Sequence, residues 1–249
     1  GPVYREQGAI LQCVQGLCDH NDGERVILNC SGGPLRGSER DSLRGITPQE
    51  ALAHPNWSMG KKISVDSATM VNKGLEIIEA HYRFHVPGDR IDAVIHPQSI
   101  VHSLVETVDG AMIAQMGYPD MRLPIQYALT YPERVSGPAE KWNIFQRQSL
   151  DFYEADPLRF PALRLAYDAL KMGGTATAIY NAADEVAVES FLRGQIGFLA
   201  IEDCIAETMS GIPAQNFHEL ETMVEADGQA RRFAQDYCRK VAATPISEN

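Results

Sequence analysis

The sequence predicts an α/β (α+β) domain with a mixed sheet, followed by a C-terminal all-α helical bundle. Three observations carry this. Short apolar or alternating runs recur through the first half of the chain. They alternate with amphipathic stretches of helical period. After Phe160 only the helical period remains, broken by glycine-rich joints at Gly173-Gly174, Gly194 to Gly197, and Gly211 to Pro213. The expected boundaries are 1–132 for the first domain, 133–159 for a connector of mixed pattern, and 160–249 for the helical domain.

Taken in order, Ala9 to Leu17 reads as a helix and Arg25–Cys30 as a short buried strand. Ser31-Gly32-Gly33-Pro34 is a sharp loop directly after that strand. Thr47-Pro-Gln-Glu50 has the pattern of a capping box with proline at the first helical position, so a short helix begins there. Lys62, Ile63 and Val65 read as the end of a strand, with Asp66 or Ser67 as the N-cap of a helix running to Phe84. Ile91–Ile95 is a second buried strand. Ser99 to Val108 and Ala111–Met116 read as two more, joined through Asp109-Gly110, a strong hairpin signal. Met121 to Leu129 reads as a helix. Four helices follow, near 161–172, 176–193, 198–210 and 216–242, with short connections.

Composition narrows the function. The 249 residues carry a formal charge of −11, which argues against non-specific nucleic-acid binding. No apolar run approaches the roughly 18 residues of a membrane span, and no signal peptide is visible. The five cysteines, Cys13, Cys18, Cys30, Cys204 and Cys238, fit neither a zinc site nor a disulfide framework. Free thiols in a reducing cytoplasm are the expectation.

The run from Lys61 to Glu76 is the most informative chemistry. On a helix, Asn72, Lys73 and Glu76 fall within about 100° of one another. Asn72 and Lys73 can hold an anion while Glu76 points to the same side. A helix N-terminus with Ser67 and Thr69 nearby suits phosphate. A carboxylate beside a phosphate requires a cation between them, and Mg²⁺ or Mn²⁺ prefers such oxygen ligands. The bland alternative is a solvated helix start with a Lys73–Glu76 surface pair. Ser31 lies in a glycine turn after a strand, either a ligand-facing hydroxyl or a plain turn residue. Trp57, set among Pro55, Asn56, Ser58 and Gly60, suits a mobile flap or an indole docked on a surface. His96 and His102 each allow a site role or a satisfied core histidine.

The same segments resemble the 1-deoxy-D-xylulose 5-phosphate reductoisomerase family. The matching stretches are SGGP at Ser31–Pro34, HPNWSMGKKISVDSATMVNKGLE at His54–Glu76, IHPQSIVHS at Ile95–Ser103, GYPDMRLPI at Gly117–Ile125 and NAADEVAV at Asn181–Val188. The resemblance covers nearly the whole chain, but only the catalytic and C-terminal helical parts of the family. It implies a metal-dependent rearrangement of a ketose phosphate followed by reduction with NADPH. By motif, it assigns the phosphate to Ser31, Ser67, Asn72 and Lys73, with His54 close by. Glu76 becomes a metal ligand and Trp57 the flap. His102 and Met121 line the pocket, Met121 near the nicotinamide. The resemblance also implies a sugar-phosphate substrate and a homodimer.

Two departures stand out. No G-x-G-x-x-G loop follows a strand, so the chain is expected to bind NADPH weakly by itself. The family's metal-binding entry segment, P-V-D-S-E-H-like, here reads Pro2-Val-Tyr-Arg-Glu-Gln7. Glu6 keeps the family's glutamate as a metal ligand. Tyr4 replaces an aspartate, Arg5 a serine and Gln7 a histidine. A neutral phenol is a poor Mg²⁺ ligand, and Arg5 adds a competing cation. Against the enzyme reading therefore stands a diverged, non-reducing homologue, or a structural subunit that binds sugar phosphate without turnover.

Overall fold

A computed structural model describes residues 3–15, 17, 23–54, 59–146, 149–156 and 158–243. Its contacts group the chain into two units, each assembled from two stretches: 1–32 with 79–155, and 33–78 with 156–249. The sequence expectation of contiguous domains differs from this grouping. The segment 33–78 joins the C-terminal helices because Leu35, Leu43, Ala51, Val65, Ala68 and Val71 bury in their core.

The first unit is built on a five-stranded sheet in the order β4-β3-β1-β2-β5. Its strands are β1 (Gly23–Cys30), β2 (Ile91–Ile95), β3 (Val101–Thr107), β4 (Met112–Met116) and β5 (Tyr153–Glu154). β1 pairs parallel with β2 and antiparallel with β3, so the sheet is mixed as expected. β1 is central, which explains its nearly continuous apolar run. The hairpin at Asp109-Gly110 forms, with the Thr107 amide donating to the Ala111 carbonyl at 2.9 Å and the Asp109 carboxylate accepting from the Ala111 amide at 3.3 Å. Helix α1 (Arg5–Val14) starts four residues before the predicted helix and lays Ala9, Ile10 and Cys13 against β3 and β4. Helix α5 (Arg122–Thr130) matches its expectation within a residue.

The second unit is helical among the described residues. Helix α2 (Pro48–Leu52) carries the expected capping box: Thr47 Oγ1 accepts from the Glu50 amide, and the Glu50 carboxylate accepts from the Thr47 amide at 2.8 Å. The strand expected at Lys62–Val65 is a correction. Lys61–Thr69 forms helix α3, and the expected cap residues Asp66 and Ser67 lie inside it. Two β-branched residues favour a strand only weakly. The buried face Val65, Ala68 and Thr69 has helical spacing, and tertiary burial decides the outcome. Met70 adopts a left-handed conformation (φ 67°), so the single helix expected to Phe84 is two, with α4 spanning Val71–Phe84. The Val71 amide donates to Thr69 Oγ1 at 3.3 Å across the break.

The later helices follow their expectations closely: α6 (Pro161–Met172), α7 (Ala176–Leu192), α8 (Ala200–Gly211) and α9 (Leu220–Ala243). α9 presents Ala226, Ala230, Ala234 and Cys238 at four-residue intervals as its buried stripe, packing on α7 and α8. Cys204 of α8 faces Cys238 with the sulfurs 3.9 Å apart, and both thiols are free and buried. Cys13 and Cys30 are likewise buried, while Cys18 lies outside the described residues. Among the described residues, no helix is long and apolar enough to cross a membrane.

Candidate functional site

The helical unit gathers Asn72, Lys73 and Glu76 on the first turn and a half of α4. Lys73 is 2% exposed. An ammonium so buried requires an anionic partner, and its Nζ donates to the Glu76 carboxylate. Asn72 Nδ2 donates to the other oxygen of that carboxylate at 2.6 Å. Two anion-holding donors thus converge on one carboxylate, as helical spacing predicts. The bland reading of a solvated pair does not fit a lysine this buried.

Gly74, between them, is required by packing. A Cβ there would lie 2.7 Å from the Tyr180 hydroxyl and 2.8 Å from the Ala166 methyl. Gly33, with φ +64°, similarly lets the SGGP loop reach the Ser67 carbonyl, which a Cβ would approach to 2.4 Å. Ser67 is half-buried on α3, its hydroxyl donating to the Ile63 carbonyl at 2.8 Å. His54 is half-buried just after α2. Trp57 lies outside the described residues.

The sheet unit holds Ser31, Glu6, His102 and Met121. Ser31 is half-buried directly after β1, and Met121 is the N-cap residue just before α5 and is 36% exposed. Arg5 grips Glu6: its Nε and Nη2 donate to the same carboxylate oxygen at 3.0 and 2.5 Å, in a largely buried ion pair. Ser103 Oγ donates to the Glu6 carbonyl at 3.0 Å, fixing the first turn of α1 on β3. Gln7 is fully buried.

His102 is 2% exposed. Burial, then the neighbouring Arg5 charge, pushes its pKa down to about 3, against the opposing pull of Glu6 and a backbone hydrogen bond at Tyr118. Its imidazole is therefore neutral near pH 7. His96 is structural: Nδ1 pairs with the Asp151 carbonyl at 2.8 Å, Nε2 accepts from the Ile100 amide at 3.2 Å, and the ring stacks on Phe152.

Glu6 and Glu76 are hard carboxylate donors of the kind a divalent cation takes. Each is held by an internal cation, Arg5 or Lys73. Tyr4 is 56% exposed. Among the described residues, no group of three or more His, Cys, Asp or Glu is placed to hold a metal. The donor chemistry thus fits at two positions, with Arg5 and Lys73 competing there.

Sequence reasoning missed one cluster. Lys62 Nζ lies 2.7 Å from Asp66 Oδ2 and 2.5 Å from Asp184 Oδ2. Both carboxylates are buried, and the second oxygen of each has no hydrogen-bond partner among the described residues. Desolvation raises both acids, with Lys62 opposing: Asp66 rises to about 6 and Asp184 to about 7. The four-residue Lys62–Asp66 spacing was the available signal, hidden by reading that stretch as strand.

Comparison with known proteins agrees with the family resemblance carried by the motifs. Two family profiles match: the 1-deoxy-D-xylulose 5-phosphate reductoisomerase C-terminal domain over residues 1–84, and the DXP reductoisomerase C-terminal domain over 116–233. The 1-deoxy-D-xylulose 5-phosphate reductoisomerase of Xanthomonas euvesicatoria pv. vesicatoria is 53% identical over 235 residues, covering 94% of this chain and 59% of that protein. That of Paraburkholderia xenovorans is 49% identical, covering 96% of this chain and 60% of its own length. The chain therefore spans about three fifths of the curated relatives it matches. The Zymomonas mobilis enzyme in complex with NADPH superposes with a TM-score of 0.89 at 40% identity, over 95% of this chain and 61% of that one. A DOX-P reductoisomerase in complex with NADPH, fosmidomycin and magnesium gives 0.89 at 37% identity, over 98% and 64%. With two domains of one family matched in order and half of the aligned residues identical, this chain belongs to the 1-deoxy-D-xylulose 5-phosphate reductoisomerase family.

Proposed function

We propose that this chain is the substrate-binding and C-terminal helical part of a reductoisomerase of the non-mevalonate isoprenoid pathway. The reaction converts 1-deoxy-D-xylulose 5-phosphate to 2-C-methyl-D-erythritol 4-phosphate. The observation that carries the reading is the buried Lys73, set with Asn72 and Glu76 on the opening turns of α4.

In this reading Lys73 and Asn72 turn from Glu76 to the substrate phosphate. Ser31 and Ser67 supply hydroxyl donors, with His54 beside them. Glu6 and Glu76 are the carboxylates that would hold Mg²⁺ or Mn²⁺. When bound, the cation polarises the substrate carbonyl and hydroxyl oxygens as a Lewis acid. Trp57 closes over the substrate and limits water. His102, neutral near pH 7, hydrogen-bonds in the reaction pocket without adding charge. Met121 offers an apolar contact to the nicotinamide. The matched region has no glycine-rich dinucleotide loop, so NADPH belongs to the part of the family's enzymes outside it.

A cytoplasmic homodimer completes the proposal. Its support is the buried thiols of Cys13, Cys204 and Cys238 and the edge strand β4, whose Met112 and Met116 are exposed.

Phosphorus NMR of 1-deoxyxylulose 5-phosphate with this chain, with and without Mg²⁺, tests the reading. A shifted or broadened phosphate resonance is the expected result. A spectrum unchanged by protein under both conditions would reject the substrate site.

A further inference from the structure

The NAADEVAV motif has no part in the substrate contacts assigned above, yet it and the tyrosine before it provide two supports one helical turn apart on α7. Tyr180, just before the motif, lies beneath Gly74 of α4 and donates its hydroxyl to the Ala162 carbonyl at 3.1 Å. Asp184, fully buried, holds Lys62 of α3. Each of the two helices that meet at the left-handed Met70 therefore has one anchor on α7. α3 needs such an anchor. It is nine residues long, has no side-chain N-cap bond, and ends in a conformation unfavourable for methionine. Lys62 is eight residues from Met70, about 12 Å along the helix axis.

We infer that Lys62, Asp66 and Asp184 form a clamp that positions α3, and through Met70 the start of α4, for phosphate binding; Asp184 acts as a positioning residue. The inference rests on the reading of Asn72 and Lys73 as phosphate donors. A half-exposed ammonium paired with two buried carboxylates contributes little net stability compared with apolar packing. What it does supply is direction: the ammonium sits between two fixed oxygens, so a shift of α3 along α7 breaks one of the two contacts. The surrounding charges do not substitute for it. Glu185 of α7 is taken by Arg231 of α9 at 2.6 Å, and Arg231 also binds Asp227 at 2.7 Å. Tyr180 and Glu202 stay protonated more readily than usual, chiefly because they are buried.

The test compares this chain with its Lys62→Met, Lys62→Arg and Asp184→Asn variants. Hydrogen exchange is followed by mass spectrometry over residues 61–73 and, as a control, 200–243. Affinity for 1-deoxyxylulose 5-phosphate is followed by phosphorus NMR. Lys62→Met is expected to speed exchange in 61–73 alone and to weaken the ligand by about tenfold. Lys62→Arg should restore both, since it returns a cation to the two carboxylates. If Lys62→Met does not fold, Asp184→Asn, which keeps the side-chain volume, carries the comparison in the same direction. Unchanged exchange in 61–73 overturns the clamp. Faster exchange with undiminished affinity overturns its positioning role. A wild-type chain that leaves the phosphate resonance unmoved sinks the phosphate reading, and positioning with it; the wild-type spectrum alone identifies that case.

Discussion

Lys73 and Arg5 show two different uses of a buried cation. Lys73 is paired with Glu76, and Asn72 shares that carboxylate, so both donors already face one anionic position. Replacing Lys73 with alanine should weaken binding of 1-deoxyxylulose 5-phosphate by at least about tenfold in calorimetry. Equal affinity would remove Lys73 from the site. Arg5 instead occupies the carboxylate of Glu6. The Arg5→Ser variant should bind Mn²⁺ about tenfold more tightly, read by electron paramagnetic resonance, because a competing charge is gone. No gain would show that Arg5 does not limit metal access. The Asn72, Lys73 and Glu76 group was legible from helical spacing alone. The Arg5–Glu6 grip was not, because neighbours in a helix diverge by about 100° and meet only through side-chain rotamers. His96 and His102 were equally ambiguous in sequence, since burial and hydrogen-bond partners, not residue type, separate a structural imidazole from a site one.

Elements were legible where local chemistry and tertiary burial agree. Thr47 to Glu50 capped its helix as its pattern predicts, and Asp109-Gly110 made its turn. At Lys62–Val65 the two disagree, and the buried face wins. The left-handed Met70 had no sequence signal, because methionine carries none of the usual markers of that conformation. Gly74 was visible only as a glycine within a helix. Its reason is the Tyr180 hydroxyl and the Ala166 methyl on helices far along the chain. Gly74→Ala should therefore destabilise the protein by about 1–3 kcal/mol, despite alanine's better helix propensity. Thermal unfolding checks this, and a raised midpoint would contradict the packing account. Adding Tyr180→Phe should recover part of the loss by removing the hydroxyl in conflict, giving a non-additive pair.

Across the whole molecule, the buried acids Asp66, Asp184 and Glu202 set an unusual pH response. Each has its folded pKa raised chiefly by desolvation, to about 6, about 7 and about 7. The folded chain therefore holds protons that the unfolded chain has released. Their contribution to stability is fully present below the ordinary carboxylate range and is lost as pH rises through the folded values near 7. A loss on the order of a few kcal/mol between pH 4.5 and 8 is expected from chemical denaturation, with a flatter profile in Asp184→Asn. A stability that climbs over that interval would contradict the raised acids. The grouping of 33–78 with 156–249 escaped the sequence because it depends on which core accepts Leu43, Val65 and Val71, and residue order does not state that. The facing thiols of Cys204 and Cys238 have a practical consequence. Their sulfurs lie in the seam of α8 and α9, while Cys13 lies on the buried face of α1 against the sheet, so a maleimide reaches each only after a particular pair of elements parts. Timed labelling with peptide mapping thus turns the native cysteines into separate clocks for the breathing of each unit, with no dye or engineered residue added.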